Sequence, residues 1–334
     1  MHLCVFSLFS NLVHFFLVNL TKIISVKKDN TLAIIIPSYN EEKTIGVLID
    51  NLYKFLESYE KIEDFDIIVI NDGSVDQTAI NVGIYPDVIL LTHGFNRGIG
   101  AAVRTGLQYS ENNNYDIILK IDADLQHDIN DLDAILNPII LGESDIVFGD
   151  RFSGSINYKM PKIRRLGNSF FTKLMSFVTE YDVKDSQPGI FAGNARFLKS
   201  VSVFSDFNYT QQVLYSSYIA GLRFSQVPIN FNERKFGSSF VKLSYPFKAI
   251  FQIMLLMITK NPMKTFGFLS AIFLTISLGT TVYDLINYFS GLTLKPIMKV
   301  NLVLGTGLVG LQLLFTGVIL KSISNVESYI RNRF

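Results

Sequence analysis

The sequence predicts an α/β protein with a mostly parallel sheet, helices on both faces of that sheet, and a C-terminal pair of membrane-spanning helices. Short apolar runs rich in β-branched residues alternate with helix-compatible stretches over residues 29–150. Continuous apolar runs are typical of strands buried on both faces. Charged residues make up only 18% of the 334 residues, against about 25% in ordinary soluble domains, and the mean hydropathy is +0.30. The composition therefore favours membrane segments attached to a globular domain.

The alternating region contains five predicted strands, which are Leu32–Ile36, Asp66–Ile70, Val88–Leu91, Ile117–Ile121 and Asp145–Phe148. Helices are predicted at Glu41–Ser58 and Gly98–Tyr109. Parallel sheets of this kind bind ligands at the carboxyl ends of their strands. The polar residues that follow each strand are therefore the first candidates for chemistry.

Two uncharged runs near the C-terminus predict a membrane hairpin within residues 263–334. Thr265–Tyr283 has 19 residues and Val300–Leu320 has 21, close to the ~20 that span a bilayer as a helix. The link Gly291–Lys299 contains Pro296 and suits a tight connection. Two buried core helices are the alternative, but neither run has a polar face.

Basic residues predict how the hairpin is oriented. Two of them, Lys295 and Lys299, lie between the runs, whereas seven flank the pair: Lys242, Lys248, Lys260, Lys264, Lys321, Arg331 and Arg333. This distribution predicts that both flanks, and with them the N-terminal domain, lie in the cytoplasm. Apolar residues at helical spacing predict an interfacial helix over residues 244–262.

The apolar N-terminal segment, residues 1–28, has a role that the sequence leaves open. Its first twenty residues contain no Asp, Glu, Lys or Arg. Because no basic region precedes the apolar run, a cleaved signal peptide is not predicted. An additional span, an interfacial helix and a misassigned start are the alternatives. The predicted globular domain follows at residues 29–243.

The most informative strand end is Asp122-Ala123-Asp124-Leu125-Gln126-His127-Asp128, after the fourth strand. Alternate residues of an extended chain point the same way, so Asp122 and Asp124 can face one cation. Packed carboxylates repel each other unless a cation or hydrogen-bond donors offset the charge, and oxygen ligands suit Mg²⁺ or Mn²⁺. A solvated acidic turn is the alternative. The single cysteine, Cys4, excludes a cysteine-based zinc site and an internal disulfide.

The other strand ends are weaker signals when each is taken alone. Residues 37–42 (Pro-Ser-Tyr-Asn-Glu-Glu) and 71–76 (Asn-Asp-Gly-Ser-Val-Asp) could bind a ligand or simply cap the following helices. Residues 94–100 match the spacing of a dehydrogenase nucleotide loop, but they follow the third strand rather than the first. The available Tyr158-x-x-x-Lys162 pair also contains Pro161, which would break the helix it needs. The net charge of +1 gives no indication of nucleic-acid binding.

In order along the chain, these strand ends resemble the inverting family 2 glycosyltransferases of the GT-A fold, and more narrowly the polyprenyl-phosphate glycosyltransferases of the dolichol-phosphate mannose synthase group. The resemblance covers residues 32 to about 240. Its motifs are Ile-Ile-Pro-Ser-Tyr-Asn-Glu-Glu (35–42), Asn-Asp-Gly-Ser-Val-Asp (71–76), Asn-Arg-Gly (96–98), Asp-Ala-Asp-Leu-Gln-His (122–127), Arg151, Arg164-Arg165, Asp185-Ser-Gln-Pro-Gly189 and Arg234-Lys-Phe-Gly-Ser-Ser239.

The resemblance implies a Rossmann-like GT-A sheet, a divalent metal and a role for each matching residue. Asp122, Asp124 and Gln126 would hold Mg²⁺ or Mn²⁺, and Arg151, Arg164 and Arg165 would bind the acceptor phosphate. With Arg151, the two aspartates would form the catalytic set. The implied donor-binding residues are Pro37, Tyr39, Glu41, Ile70, Asp72, Arg97, Asp122, Ala123 and Arg234.

Three positions depart from the family pattern. The family often has arginine where this chain has Phe191, glutamate where it has Gln212, and lysine where it has Phe240. A hydroxyl acceptor needs a general base, whereas a phosphate monoester with a second pKa of about 6 is already ionised at neutral pH. The loss of a carboxylate at Gln212 is therefore easier to reconcile with a phosphate acceptor.

The sequence thus predicts a membrane-anchored inverting glycosyltransferase that moves a sugar from a nucleotide-sugar to a dolichyl or undecaprenyl phosphate at the cytoplasmic face. Its alternatives are a non-processive transferase that extends a lipid-linked sugar at a hydroxyl, and an inactive membrane scaffold with the same fold. A processive polysaccharide synthase would normally carry a Gln-x-x-Arg-Trp motif, and this chain has no tryptophan. The sugar, the nucleotide, the carrier lipid and the oligomeric state stay open.

Overall fold

The computed structural model describes residues 30–158, 160–206, 209–234, 236, 250–251, 253–255, 257–258 and 261–331, apart from the side chains of 163, 164 and 327–331. The chain divides into two compact units, Met1–Phe240 and Val241–Phe334. The N-terminal segment 1–28 lies outside the described residues. Of the predicted interfacial helix 244–262, the described positions 250–251, 253–255 and 257–258 are helical.

The described part of unit 1 is built on a seven-stranded sheet with the order β3-β2-β1-β4-β6-β5-β7. All neighbouring strands are parallel except β6, which runs antiparallel to β4 and β5. The mostly parallel sheet is therefore confirmed, with two strands, β6 and β7, that the sequence did not predict. The strands are β1 (Thr31–Ser38), β2 (Asp64–Asn71), β3 (Ile89–Thr92), β4 (Ile117–Lys120), β5 (Ile146–Asp150), β6 (Phe191–Asn194) and β7 (Phe224–Pro228).

Seven α-helices are described in unit 1, together with a short 3₁₀ turn at Ile129–Asp131. The first predicted helix begins four residues later than expected, and the second extends three residues further. The helices are α1 (Ile45–Leu56), α2 (Thr78–Val82), α3 (Ile99–Asn112), α4 (Leu132–Ile140), α5 (Lys162–Thr179), α6 (Ala195–Ser200) and α7 (Tyr209–Ile219).

Strand β1 lies at the centre of the core because both of its faces are covered. Ile34 is fully buried in an apolar cluster with Leu48 of α1 and Leu136 of α4. Ile35, which points to the opposite face, packs on Gly106 of α3 so tightly that a Cβ added at Gly106 would lie 2.4 Å from the Ile35 side chain. This double burial explains why β1 is a continuous apolar run rather than an alternating one.

The strand order places a ligand crevice at the carboxyl edge of β1. This strand pairs with β2 on one side and β4 on the other, and the chain order reverses between them. In open α/β sheets, ligands bind at such a switch point, outside the carboxyl ends of the strands. The segments that follow Ser38, Asn71 and Lys120 therefore meet at one edge.

Unit 2 contains two helices, α8 (Pro262–Phe289) and α9 (Val300–Arg331), that are long and apolar enough to cross a membrane. They pack against each other, with the Ser270 hydroxyl donating to the Gly310 carbonyl at 2.7 Å and that of Ser277 donating to Val303 at 2.8 Å. Small residues at such contacts let apolar helices approach closely. The Asp284 carboxylate accepts from the backbone of Lys299 at 2.9 Å, next to the N-terminus of α9.

A buried carboxylate connects the ends of strands β5, β6 and β7. The side chain of Asp145, 2% exposed, immediately precedes β5. It accepts from the Asn194 amide of β6 at 2.9 Å, and from the backbone and guanidinium of Arg223 before β7, both at 2.9 Å. The Arg223 hydrogen bonds hold the pKa of Asp145 below its ordinary value of 3.8, although burial opposes them. Asp145 therefore fixes both strands that sequence patterns missed.

We expect Asp145→Asn to lower the stability of unit 1 by about 1.5–3 kcal/mol, because charge-assisted hydrogen bonds are lost, and its Tm by about 3–12 °C, at about 2–4 °C per kcal/mol for a unit of this size. Since the pKa of Asp145 in the folded state lies below its unfolded value, the variant should differ most from the wild type in stability above pH 3.8. The difference should decrease as the pH falls below that value. Thermal unfolding in detergent, monitored by circular dichroism, measures this difference in stability. The exposed Asp87→Asn is the matched control, and an equal loss in both variants would contradict this role.

Candidate active site

The loops that follow β1 and β2 are hydrogen-bonded to each other. The Asn40 backbone N–H donates to the Ser74 hydroxyl at 3.0 Å, and its side-chain oxygen accepts from the backbone of Val75 at 3.0 Å. The backbone of Glu41 donates to the Thr78 hydroxyl at 2.8 Å. Asn40 adopts a left-handed φ of 55°, which asparagine tolerates better than most residues. Asn40 thus connects the two loops at the crevice and does not cap α1, which begins after Thr44.

A cavity of about 230 Å³ opens at this edge. Three predicted donor-binding residues, Tyr39, Glu41 and Arg234, line it together. Burial raises the pKa of the Glu41 carboxyl, and the hydrogen bond from Thr44 only partly offsets the rise. The remaining lining residues are Asn40, Glu42, Lys43, Asp76 and Phe236.

Asp72 has a structural task that its sequence context did not reveal. One of its carboxylate oxygens accepts from the backbone of Arg97 at 3.0 Å, and the other accepts from Gly98 at 2.7 Å. The His93 ring lies 2.6 Å from the same carboxylate. Asp72 therefore clamps the Asn-Arg-Gly loop, while the Arg97 side chain is exposed. Contacts of either side chain with a donor stay predictions.

Three other predicted donor residues, Pro37, Ile70 and Ala123, are buried. The Ile70 side chain packs on Gly106 of α3, in the core between the sheet and that helix. The cavity is lined instead by residues of the loops beyond Pro37 and Ile70, together with Arg234 and Phe236.

Asp124 is held by its own loop and by an arginine that lies far away in the sequence. The chain leaves β4 at Lys120 and turns at Leu125, which has a φ of 59°. One oxygen of Asp124 accepts from the backbone of Gln126 at 3.1 Å, and the other accepts from the Arg234 guanidinium at 2.5 Å. Arg234 thus contacts Asp124 and lines the cavity.

Asp122 is paired with Lys120, two residues earlier on β4. The lysine side chain is fully buried, and it also donates to the Gly189 carbonyl at 2.9 Å and lies 5.0 Å from the Tyr209 ring centre. Burial alone would lower the pKa of Lys120, but Asp122 and Tyr209 raise it above its ordinary value, so the ammonium stays charged. The other Asp122 oxygen lies 4.0 Å from His127 Nε2. A Cβ at Gly189 would lie 2.3 Å from this carboxylate, so the loop approaches too closely for a side chain.

Lys120 and His127 are site residues that the sequence analysis missed. A lysine inside an apolar strand, two residues before an acidic cluster, was the available signal for the first. His127 is buried, and within the described part of the chain neither ring nitrogen has a hydrogen-bond partner. Burial lowers its pKa to about 4, so the ring is neutral at pH 7. The two ring nitrogens beside Asp122 are therefore available to a water molecule, an ion or a ligand.

The carboxylates are suited to a divalent cation. Burial and the neighbouring charge of Asp122 raise the pKa of Asp124, while Arg234 lowers it. Gln126 is buried and donates through its amide nitrogen to the Asn232 carbonyl at 2.9 Å, so its amide oxygen is the ligand atom it could offer. No group of three or more His, Cys, Asp or Glu that could hold a metal occurs among the described residues. Two carboxylates and one amide would leave room for phosphate oxygens and water, as is common for Mg²⁺.

The predicted acceptor arginines lie in different surroundings. Arg151 is buried and forms a two-pronged ion pair with Asp185, at 2.6 and 2.9 Å. It also lies over the Phe231 ring at 5.2 Å. Arg165 is exposed on α5. The side chain of Arg164 lies outside the described residues, so its role stays a prediction.

The family departures have local structural explanations. The Gln212 side chain accepts from the backbone N–H groups of Phe204 and Ser205 at 3.1 and 3.0 Å, and donates to the Ser205 carbonyl at 3.3 Å. Phe191 is buried against the Phe148, Phe197 and Tyr209 rings. Phe240 lies outside the described residues.

Comparisons with known proteins agree with this geometry. The sequence is 31% identical over 191 residues to the UDP-N-acetylglucosamine–dolichyl-phosphate N-acetylglucosaminyltransferase of Methanococcus voltae, covering 52% of this chain and 73% of the relative. It is 22% identical over 318 residues to the dodecaprenyl-phosphate galacturonate synthase of Rhizobium johnstonii, covering 90% and 89%.

Among solved structures, the glucosyl-3-phosphoglycerate synthase of Mycobacterium tuberculosis, in complex with Mn²⁺, UDP and phosphoglyceric acid, has a TM-score of 0.54 at 18% identity, over 72% of this chain and 81% of that one. This likeness confirms the GT-A-like fold predicted from the sequence. The family model for glycosyl transferase family 2 matches residues 33–202, half of the chain. The relatives include several polyprenyl-phosphate sugar transferases. The chain therefore belongs to glycosyl transferase family 2.

Proposed function

We propose that this chain is a membrane-anchored, inverting, metal-dependent glycosyltransferase that moves a sugar from a nucleotide-sugar to a polyprenyl phosphate. The observation that carries the proposal is the edge of the sheet where Asp122 and Asp124 lie beside Arg234, Glu41 and the open cavity. Relatives that act on dolichyl and other polyprenyl phosphates support the acceptor.

On the donor side of the reaction, the protein would act by electrostatic stabilisation of the departing diphosphate. Arg234 lines the cavity and can donate two hydrogen bonds to a diphosphate, as guanidinium groups do. A divalent ion held by Asp122, Asp124 and Gln126 would supply charge neutralisation of the departing diphosphate. Lys120 would hold the Asp122 carboxylate in position, since the lysine is buried in contact with it.

The acceptor half requires no proton transfer. An oxygen of the ionised acceptor phosphate attacks the anomeric carbon, and the bond from that carbon to the donor diphosphate breaks. The electron pair of the broken bond leaves with the nucleoside diphosphate. Because the acceptor is already ionised, the amide at Gln212 is sufficient where a hydroxyl acceptor would favour a carboxylate.

We further propose that α8 and α9 cross the bilayer as a hairpin and that unit 1 lies on the cytoplasmic side. The two helices are mostly exposed and apolar, as lipid-facing helices are. Basic residues are more numerous on the outer flanks of the hairpin than in its connecting segment, which favours cytoplasmic flanks.

Asp124→Asn should reduce sugar transfer by at least about a hundredfold, because it removes a metal-ligand charge that acts on the transition state. Transfer of labelled sugar into lipid, with and without EDTA, measures the effect. Binding of Mn²⁺, followed by electron paramagnetic resonance, should weaken in parallel. Asp128→Asn, four residues along the same loop, is the control. Full activity of the wild type in EDTA would contradict the metal role.

Arg165→Ala should weaken use of the polyprenyl phosphate by about ten- to a hundredfold, since a charge-assisted contact of about 1.5–3 kcal/mol is lost. The KM for the donor should change far less. Lys199→Ala removes an equally exposed cation from α6 and should leave both constants unchanged. Arg151 is a poorer test because its loss would leave Asp185 buried and unpaired. Unchanged acceptor kinetics, or transfer only to sugar hydroxyls, would favour the glycan-extending alternative.

A cysteine placed by substitution between α8 and α9 should react only from the non-cytoplasmic side of the membrane. In a Cys4→Ser background, Leu294→Cys places a thiol at a position that is 98% exposed. Ile84→Cys, in unit 1, should be labelled by an impermeant maleimide only after the membrane is opened, because it lies on the cytoplasmic side. The reverse pattern would refute the proposed orientation.

A further inference from the structure

Helix α5 has an apolar face toward the core and a second apolar face toward solvent. Its buried side includes Phe171, Met175 and Val178. On the opposite side, Leu166, Phe170 and Phe177 are 72%, 52% and 78% exposed. At 3.6 residues per turn, spacings of four and seven residues place these three side chains within about 40° of each other. They form an apolar stripe, interrupted by the exposed Lys173 between Phe170 and Phe177 and named here the outer stripe.

The outer stripe is bordered by positive charge. Lys162, Arg165 and Lys173 are exposed on the same side of α5. The helix sequence, KIRRLGNSFFTKLMSFVT, contains four basic residues and no acidic one. Apolar residues flanked by lysine and arginine on an exposed helix face are typical of helices that lie in the headgroup region of a bilayer.

Charge also argues against a second copy of this chain as the partner of the outer stripe. A two-fold contact through α5 would bring the same cations together on both sides, which is unfavourable. Anionic lipid headgroups complement the charge, and acyl chains complement the apolar stripe. The same chain carries two helices suited to crossing a bilayer, so unit 1 would be tethered to a lipid surface.

We propose that α5 docks on the anionic surface of the bilayer, with Leu166, Phe170 and Phe177 inserted among the lipids. This proposal rests on the membrane hairpin proposed above, but not on the identity of the acceptor. The other side of α5 contacts the proposed acceptor region, since the Thr172 hydroxyl accepts from the backbone of Ser186 at 3.2 Å, next to Asp185. Docking would therefore hold the Arg151–Asp185 pair near the level of the lipid phosphates.

The absence of tryptophan from the sequence provides the test. Full-length Phe177→Trp and Phe170→Trp are placed, one at a time, in nanodiscs with anionic lipid, each as the sole tryptophan. Brominated acyl chains should reduce their emission about twofold, because docked residues lie about 5–10 Å into the interface. Ile84→Trp, at a residue that is 71% exposed elsewhere on unit 1, should not be quenched. Lys173→Glu added to Phe177→Trp should lower the quenching.

Two outcomes would overturn the docking. Emission that remains red-shifted and open to iodide would show that the outer stripe faces water. Blue-shifted emission that brominated lipid does not quench would show that protein covers the stripe. Sugar transfer is measured on the same nanodiscs, so quenching without transfer to polyprenyl phosphate would uphold the docking and count only against the proposed acceptor.

Discussion

The site depends on the mutual repulsion of Asp122 and Asp124, two carboxylates at the end of one central strand. Each carboxylate has a cation of the same chain beside it, Lys120 for Asp122 and Arg234 for Asp124. Burial and the charge of Asp122 raise the pKa of Asp124, and Arg234 counteracts this rise, which favours the ionised form that can bind a metal. The two pairs also differ in accessibility, because Lys120 is fully buried whereas Arg234 is partly exposed beside the cavity. Asp122 therefore has a fully buried counter-charge, whereas the counter-charge of Asp124 is partly exposed at the cavity.

The sheet register explains how Lys120 reaches this position. Strands β4 and β6 are antiparallel and place Lys120 directly opposite Phe191. Residue 191 is the position where the resemblance leads one to expect an arginine, so the missing cation is matched by a lysine on the neighbouring strand. Phe191 instead joins the aromatic residues beneath the lysine, including Tyr209, whose ring also lies next to the ammonium. The departure at 191 and the unusual lysine at 120 are thus one local arrangement.

The sequence predicted the features that local pattern determines. Five strands and two apolar helices were recognisable because each contains a continuous apolar run. Strands β6 and β7 escaped because their sequences, FAGN and FSQVP, are interrupted by glycine or polar residues and contain no such run. The tasks of Asp72 and Arg151 could not be predicted, since they depend on partners brought close by folding: the 93–98 loop for Asp72 and Asp185 for Arg151. The order of the motifs located Asp122 and Asp124, but the cations that lie beside them could be identified only from the fold.

The side chain at position 212 shows how local hydrogen bonding limits the chemistry of the site. Its amide accepts from two backbone N–H groups and donates to the Ser205 carbonyl. A carboxylate could accept the same two bonds, but it could not donate the third, and it would face the Ser205 carbonyl with like partial charge. Glutamine thus fits the present conformation of the 203–206 segment better than glutamate does. That segment also accepts hydrogen bonds from the Arg104 side chain and the Gly100 backbone, so it is tied to α3. A residue held in this way serves the scaffold, which agrees with the proposed phosphate acceptor because such an acceptor needs no base.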